Sequence, residues 1–235
     1  MTKKVHKLLV VFLIFLFALN VFAASQQTSS TTAQSIVDDA RAYLNESSAA
    51  FWDDTDLLQW LNDGQIDIVA NTHCLQSTES VDLIASTIEY SITSTYTTVK
   101  AVQYVDSDSK VWALKPGSPD HVGSDAISRL KLTKPTYWYE WAGKIGVYPA
   151  LTSVTTETVT LYIVTRPTAI TLTDSVTVPA LYDKALTLYV VAQALYRDKQ
   201  TARAGQYEAK YMAELARARS DLNEIQNMQP VDSQQ

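Results

Sequence analysis

The chain has 235 residues, 46% of them hydrophobic and 19% charged, and a formal net charge of −6. That is enough apolar material for one well-buried domain, or for one domain with an appended β-lobe, and 6 Gly and 7 Pro are too few for a collagen-like or linker-rich chain. The acidic balance argues against a nucleic-acid grip, which needs Lys and Arg on the phosphates, and a lone cysteine, Cys74, excludes an intramolecular disulfide.

Residues 1–23 read as a signal-peptide-like segment. Lys3, Lys4 and Lys7 precede an apolar run from Leu8 to Leu19, and Val21-Phe22-Ala23 offers small residues at the exit. The run is shorter than the ~20 residues that span a bilayer. Residues 24–31, rich in Ser, Thr and Gln, read as a flexible lead-in.

A first helix is expected over 33–45, capped by Thr32, with Ile36, Ala40, Tyr43 and Leu44 on its apolar face and Asp38, Asp39 and Arg41 elsewhere. A second is expected over 55–72, with Asp54 as its cap and Leu57, Leu58, Leu61, Ile68 and Val69 as its stripe. Gly64 in its middle costs about 1 kcal/mol against Ala, which points to another element packed close to the backbone there.

From 79 to 165 the period changes to two. The expected strands are 80–85, 89–93, 98–105, 110–114, 136–141, 144–148 and 158–165. Ser118-Pro119-Asp120 opens a helical turn, with Ser as cap and Pro at the first position. A third helix runs from Pro179 to about 199 and is apolar nearly all round from Ala185 to Ala194, so it should be the central buried helix. A fourth covers 201–223, striped by Ala204, Tyr207, Tyr211, Leu215, Ala218 and Leu222, and the tail 226–235 is polar. The fold class is therefore α+β: a four-helix core from an N-terminal and a C-terminal helical pair, with an inserted antiparallel β-lobe. Residues 32–225 make a single domain.

No catalytic, metal or cofactor site emerges. Asp53-Asp54-Thr55-Asp56 reads as helix capping, and Asp106-Ser107-Asp108 as a turn that lacks the later ligands of a calcium loop. Ser118, Asp120 and His121 share one turn, where a triad does not align. Cys74 reads as a small buried apolar residue. The strongest candidate surface is the aromatic hairpin Thr136-Tyr137-Trp138-Tyr139-Glu140-Trp141-Ala142-Gly143-Lys144-Ile145-Gly146-Val147-Tyr148-Pro149. Tyr137, Tyr139 and Trp141 project to one side and Trp138 to the other, with Gly146 opposite Tyr139. Aromatics on both faces suggest that Tyr137, Trp138, Tyr139, Trp141 and Tyr148 include a partner contact.

In this order the elements resemble the tailed-bacteriophage head–tail connector, or adaptor, family. Ala40-Arg41-Ala42-Tyr43-Leu44 and the run from Phe51 to Gln65 resemble its first helical pair. Pro135 through Pro149 resembles its hairpin, Val159-Thr160-Leu161-Tyr162 with Arg166-Pro167 its next strand, and Val178 through Leu186 its late helical pair. The resemblance implies a structural virion protein without catalytic residues, forming a homo-oligomeric ring of about twelve subunits beneath the portal. It also implies portal and tail proteins as partners and DNA passing through without sequence-specific binding. The signal-like N-terminus departs from that family and leaves an alternative: an exported bacterial binding or surface module, periplasmic or extracellular, using the hairpin for contact.

Overall fold

The computed structural model describes residues 29–46, 51–121 and 134–227. The signal-like segment 1–23, most of the lead-in 24–31 and the tail from 228 onward lie outside the described residues. The chain is mixed α+β, with four α-helices and two antiparallel-rich sheets among the described residues. It divides into two compact units: described residues up to Ile68 and from Thr168 form the first, and Val69–Pro167 the second.

The first unit is helical. Helix α1 (Ala33–Leu44) starts as expected, with Thr32 Oγ1 accepting from the Ser35 N–H, and it stops at Asn45, whose φ of 60° is left-handed. Its buried face is rotated from the expected one. Ala33, Ile36, Val37, Ala40 and Arg41 are buried, whereas Tyr43 is exposed and meets Tyr207 edge-on at 6.0 Å. Arg41, expected on the outer face, is buried because Glu46, Trp52 and Asp54 supply partners for its guanidinium. Its Nη1 donates to Glu46 Oε2 at 2.9 Å, and its Nη2 donates to the Trp52 carbonyl at 2.7 Å and to Asp54 Oδ1 at 2.6 Å. Carboxylates pair the charge and a carbonyl takes a further donor, the condition under which a buried guanidinium is tolerated. Asp54, expected as a cap, is instead the first residue of helix α2 (Asp54–Thr72), with its carboxylate committed to Arg41.

In α2, Leu57, Leu61 and Ile68 are fully buried. A Cβ on Gly64 would lie 2.8 Å from both Leu186 Cδ1 and Tyr189 Cδ1, so the expected close approach is real and its partner is helix α3 (Asp183–Arg197). The third helix was expected to open at Pro179. A 3-10 turn over Ala180–Tyr182 comes first, closed by the Tyr182 N–H on the Pro179 carbonyl. In α3, Ala185, Leu186, Thr187, Leu188, Val190, Val191, Ala192, Ala194 and Leu195 are buried, which makes it the enclosed helix of this unit. Helix α4 (Thr201–Asn227) runs past its expected end and buries a narrow stripe of Ala204, Tyr211, Leu215 and Ala218.

Polar clamps tie the segment before α3 to α2. Asn62 Oδ1 accepts from the Ile170 N–H at 3.0 Å, and the fully buried Gln65 accepts from the Thr177 N–H at 2.8 Å and its hydroxyl at 2.6 Å. The Ser29 and Thr31 hydroxyls both donate to Asp183 Oδ2, fastening the chain before α1 to the start of α3.

The second unit has two four-stranded sheets. The first has the order β1 (Gln76–Asp82), β8 (Thr158–Thr165), β3 (Tyr96–Val105), β4 (Val111–Ala113); the second has the order β2 (Glu89–Ser91), β7 (Lys144–Tyr148), β6 (Tyr137–Trp141), β5 (Lys115–Pro116). Every pair is antiparallel except β5 with β6. Val159, Leu161 and Ile163 alternate inward along β8 as expected and join Val102 and Tyr104 of β3, Trp138 of β6 and Ile145 and Val147 of β7 in one core. In β3 the register shifts between Val99 and Ala101, so the inward positions pass from Val99 to Val102 and Tyr104. The first strand lies earlier than expected, at Gln76–Asp82, because Leu83 and the residues after it turn away, with Tyr90 Oη donating to the Ile84 and Thr87 carbonyls.

Glu79 clamps the approach to β3: its carboxylate accepts from the Thr93 N–H and hydroxyl and from the Ser94 N–H. Burial pushes this carboxyl up, but the hydroxyl and N–H donors of Thr93 and Ser94 outweigh it and hold it at about 2.

Two outcomes follow from this packing. Gly64→Val should destabilise the protein by about 1–3 kcal/mol through overpacking against Leu186 and Tyr189. Gly205→Ala, in the interior of α4 with no atom near the new methyl, should gain about 1 kcal/mol; urea unfolding compares the three proteins. The Glu79 carboxyl sits lower in the fold than its ordinary 4.5, so its contribution is present above that pH and is lost as pH falls toward about 2. Glu79→Gln should therefore lower the melting temperature near neutral pH, with the gap to wild type closing as the pH approaches 2.

Candidate functional site

The hairpin closes as its sequence predicts. Tyr137 pairs with Tyr148, Trp138 with Val147, Tyr139 with Gly146, Glu140 with Ile145 and Trp141 with Lys144. Ala142 (φ 50°) and Gly143 (φ 75°) both take positive φ, the requirement of the two-residue turn whose twist suits the flanking strands. The Tyr139 ring lies over Gly146, and any Cβ there would overlap it, so the glycine is a seat for the aromatic.

The two faces differ. Trp138 is 9% exposed and packs in the core with Ile145 and Val147. On the other face Tyr137 and Tyr148 stack with ring centroids 5.3 Å apart, and Tyr139 tilts against Tyr148 at 6.0 Å. Tyr139 Oη donates to Glu89 Oε1 at 3.2 Å, and Lys144 Nζ reaches Glu89 Oε2 at 3.4 Å. Burial first, and the Glu89 carboxylate second, push the Tyr139 hydroxyl upward. Tyr139 and Tyr148 are each only 5% exposed, so their faces are spent on neighbours within the chain. Tyr137 (36%) and Trp141 (64%) reach solvent. Tyr137 and Tyr148 also line a shallow cavity of about 310 Å³ with Pro116 and Gly117.

Several of the remaining polar candidates are engaged in structural bonds. Asp106 Oδ1 accepts from the Asp108 and Lys110 N–H groups, and its Oδ2 accepts from Trp112 Nε1 and Lys134 Nζ. The Lys110 N–H, ahead of Lys134 and Trp112, holds this carboxyl far below the usual range. The stretch expected as a plain turn is thus organised around one carboxylate. Ser118 Oγ accepts from the Asp120 N–H at 3.3 Å, as the capping reading requires. Cys74 is buried, and burial raises its thiol. Asp56 pairs with Arg197. Among the described residues no group of three or more His, Cys, Asp or Glu side chains is placed to hold a metal ion.

Trp112, 45% exposed with Lys134 Nζ 4.0 Å from its ring centroid, was not singled out from the sequence, nor was Phe51 at 67%. A single aromatic in a three-residue strand carries no periodic signal. Its place next to the Asp106 turn was the one available hint.

No curated protein matches the chain. The family of SU10 adaptor proteins matches it over residues 31–234, a span that takes in all four helices and both sheets. This is a phage head–tail adaptor family, structural rather than enzymatic. Membership implies a place in the virion at the head–tail junction and contact with portal and tail proteins, and it lends no support to the exported-module alternative. From its first helix to its last, the chain belongs to the SU10 adaptor protein family.

Proposed function

We propose that the protein acts as a ring of about twelve copies, set between the portal and the tail and bounding part of the DNA path. The observation that carries this reading is the family match across every described element. The charge distribution supports it. Residues 42–99 contain no Lys or Arg, and Asp53, just before α2, and Asp63 within it are exposed. An acidic wall repels phosphate and lets DNA slide, where a basic wall would hold it. The reading includes no enzyme activity, in keeping with a family that is structural. It takes residues 32–225 as one connector-like domain, with Tyr137 and Trp141 at its contact with a neighbouring protein.

Mass measurement of the purified protein, alone and mixed with portal particles, tests the ring. A species of about twelve monomer masses in either setting is the expected result; a single copy in both would contradict it. Trp141→Ala should leave the melting temperature within a few degrees of wild type, because the side chain is exposed, and should reduce capture on portal or tail particles at least tenfold. Unchanged capture would remove the hairpin from the contact.

A further inference from the structure

Opposite edges of the first sheet are unequal and complementary. Along β1, the Leu75 carbonyl accepts from the Thr165 N–H and the Leu83 N–H donates to the Glu157 carbonyl. Odd-numbered residues therefore turn their backbone groups to β8, and those of Thr78, Ser80 and Asp82 point away from the sheet. This edge runs seven residues, with neither the Lys nor the Pro that usually blunts an exposed edge. At the far edge, the Lys110 carbonyl accepts from the Asp106 N–H and the Leu114 N–H donates to the Val102 carbonyl. The backbone groups of Val111 and Ala113 therefore point outward from β4, beside exposed Val111 (56%) and Trp112 (45%) side chains. The second sheet offers nothing similar: its edges are three and two residues long, and the shorter contains Pro116.

We infer that the β1 edge of one copy pairs with the β4 edge of the next, so that the first sheet continues from subunit to subunit. A second copy is the occupant for two reasons. Strand direction alternates across β1, β8, β3 and β4, so a neighbour joined in the same orientation presents its β1 antiparallel to β4. Charge also matches. β1 carries Glu79 and Asp82 in a stretch without cations, while Lys110, Lys115 and Lys134 surround β4 against Asp106 and Asp108. Two different edges meeting head to tail make a heterologous contact, the kind that closes into a ring when the rotation permits. Backbone bonds supply the affinity, as in other strand additions.

This inference rests on the ring reading, and its test separates the two. Ser80→Pro removes an outward N–H while leaving the β1–β8 ladder intact, the setting in which an edge strand tolerates proline. Wild type and Ser80→Pro are compared by mass, alone and on portal particles, with circular dichroism as the check on folding. In parallel, Ser80→Cys and Ala113→Cys are combined with Cys74→Ser and oxidised in the assembled state. The inference expects Ser80→Pro to stay folded and remain a single copy, and the cysteine pair to give a covalent ladder reaching ring size on a non-reducing gel. A wild-type ring whose cysteine pair yields no covalent multimer overturns the edge pairing and leaves the ring standing, even should the proline variant fail to fold. A proline variant that assembles like wild type, or that assembles but no longer binds the portal, overturns it as well. A wild type that is one copy in every setting removes the ring, and the edge pairing with it.

Discussion

Between Ala185 and Leu195, helix α3 shows water almost no polar side chain, and a helix of that kind must be enclosed. Burial at about 25 cal/mol per Å² of apolar surface draws its neighbours onto it. Helices α1 and α4 pack along it, and α2 reaches it at Gly64, where the lack of a side chain admits Leu186 and Tyr189. The polar features of this unit follow from that enclosure. Arg41 is buried between the end of α1 and the start of α2, where it grips Glu46, Asp54 and the Trp52 carbonyl. Asn62 and Gln65 pin the loop that delivers the chain into α3.

An enclosed helix has nothing left to offer a partner, so assembly falls to outer surfaces. On α1 and α2 these are acidic, with Asp38, Asp39 and Asp63 exposed, as is Asp53 just before α2. The β-unit follows the same logic by other means. Its two sheets share one core, its hairpin spends Trp138, Tyr139 and Tyr148 internally, and Asp106 fills both carboxylate oxygens with four donors from its own chain. Among the described residues, Trp112, Tyr137 and Trp141 and the edges of the first sheet stay outside. That is the profile of a part that transmits position between neighbours, in keeping with a structural adaptor family.

Elements whose signal is local were legible in the sequence. The Thr32 cap, the apolar girth of α3, the alternation in β8, the hairpin turn and the Tyr139–Gly146 pairing each depend on residues a few positions apart. What escaped was set by distant partners. Arg41 looked like a surface charge because its carboxylates lie on the far side of a turn. Gln65 looked ordinary because its partner, Thr177, is more than a hundred residues away. Which of the hairpin tyrosines stay exposed could not be read either, because on their shared face Tyr148 and Tyr139 are covered through cross-strand stacking. The order of helices and strands was enough to suggest the family, because order survives when single contacts do not.

The most direct test of the account is a cryo-electron reconstruction of the collar of particles that contain this protein. The account predicts a ring of copies below the portal in which density runs unbroken from the β4 strand of each subunit into the β1 strand of the next. A collar that lacks the chain, or one in which those two edges face solvent while the copies touch elsewhere, would contradict it.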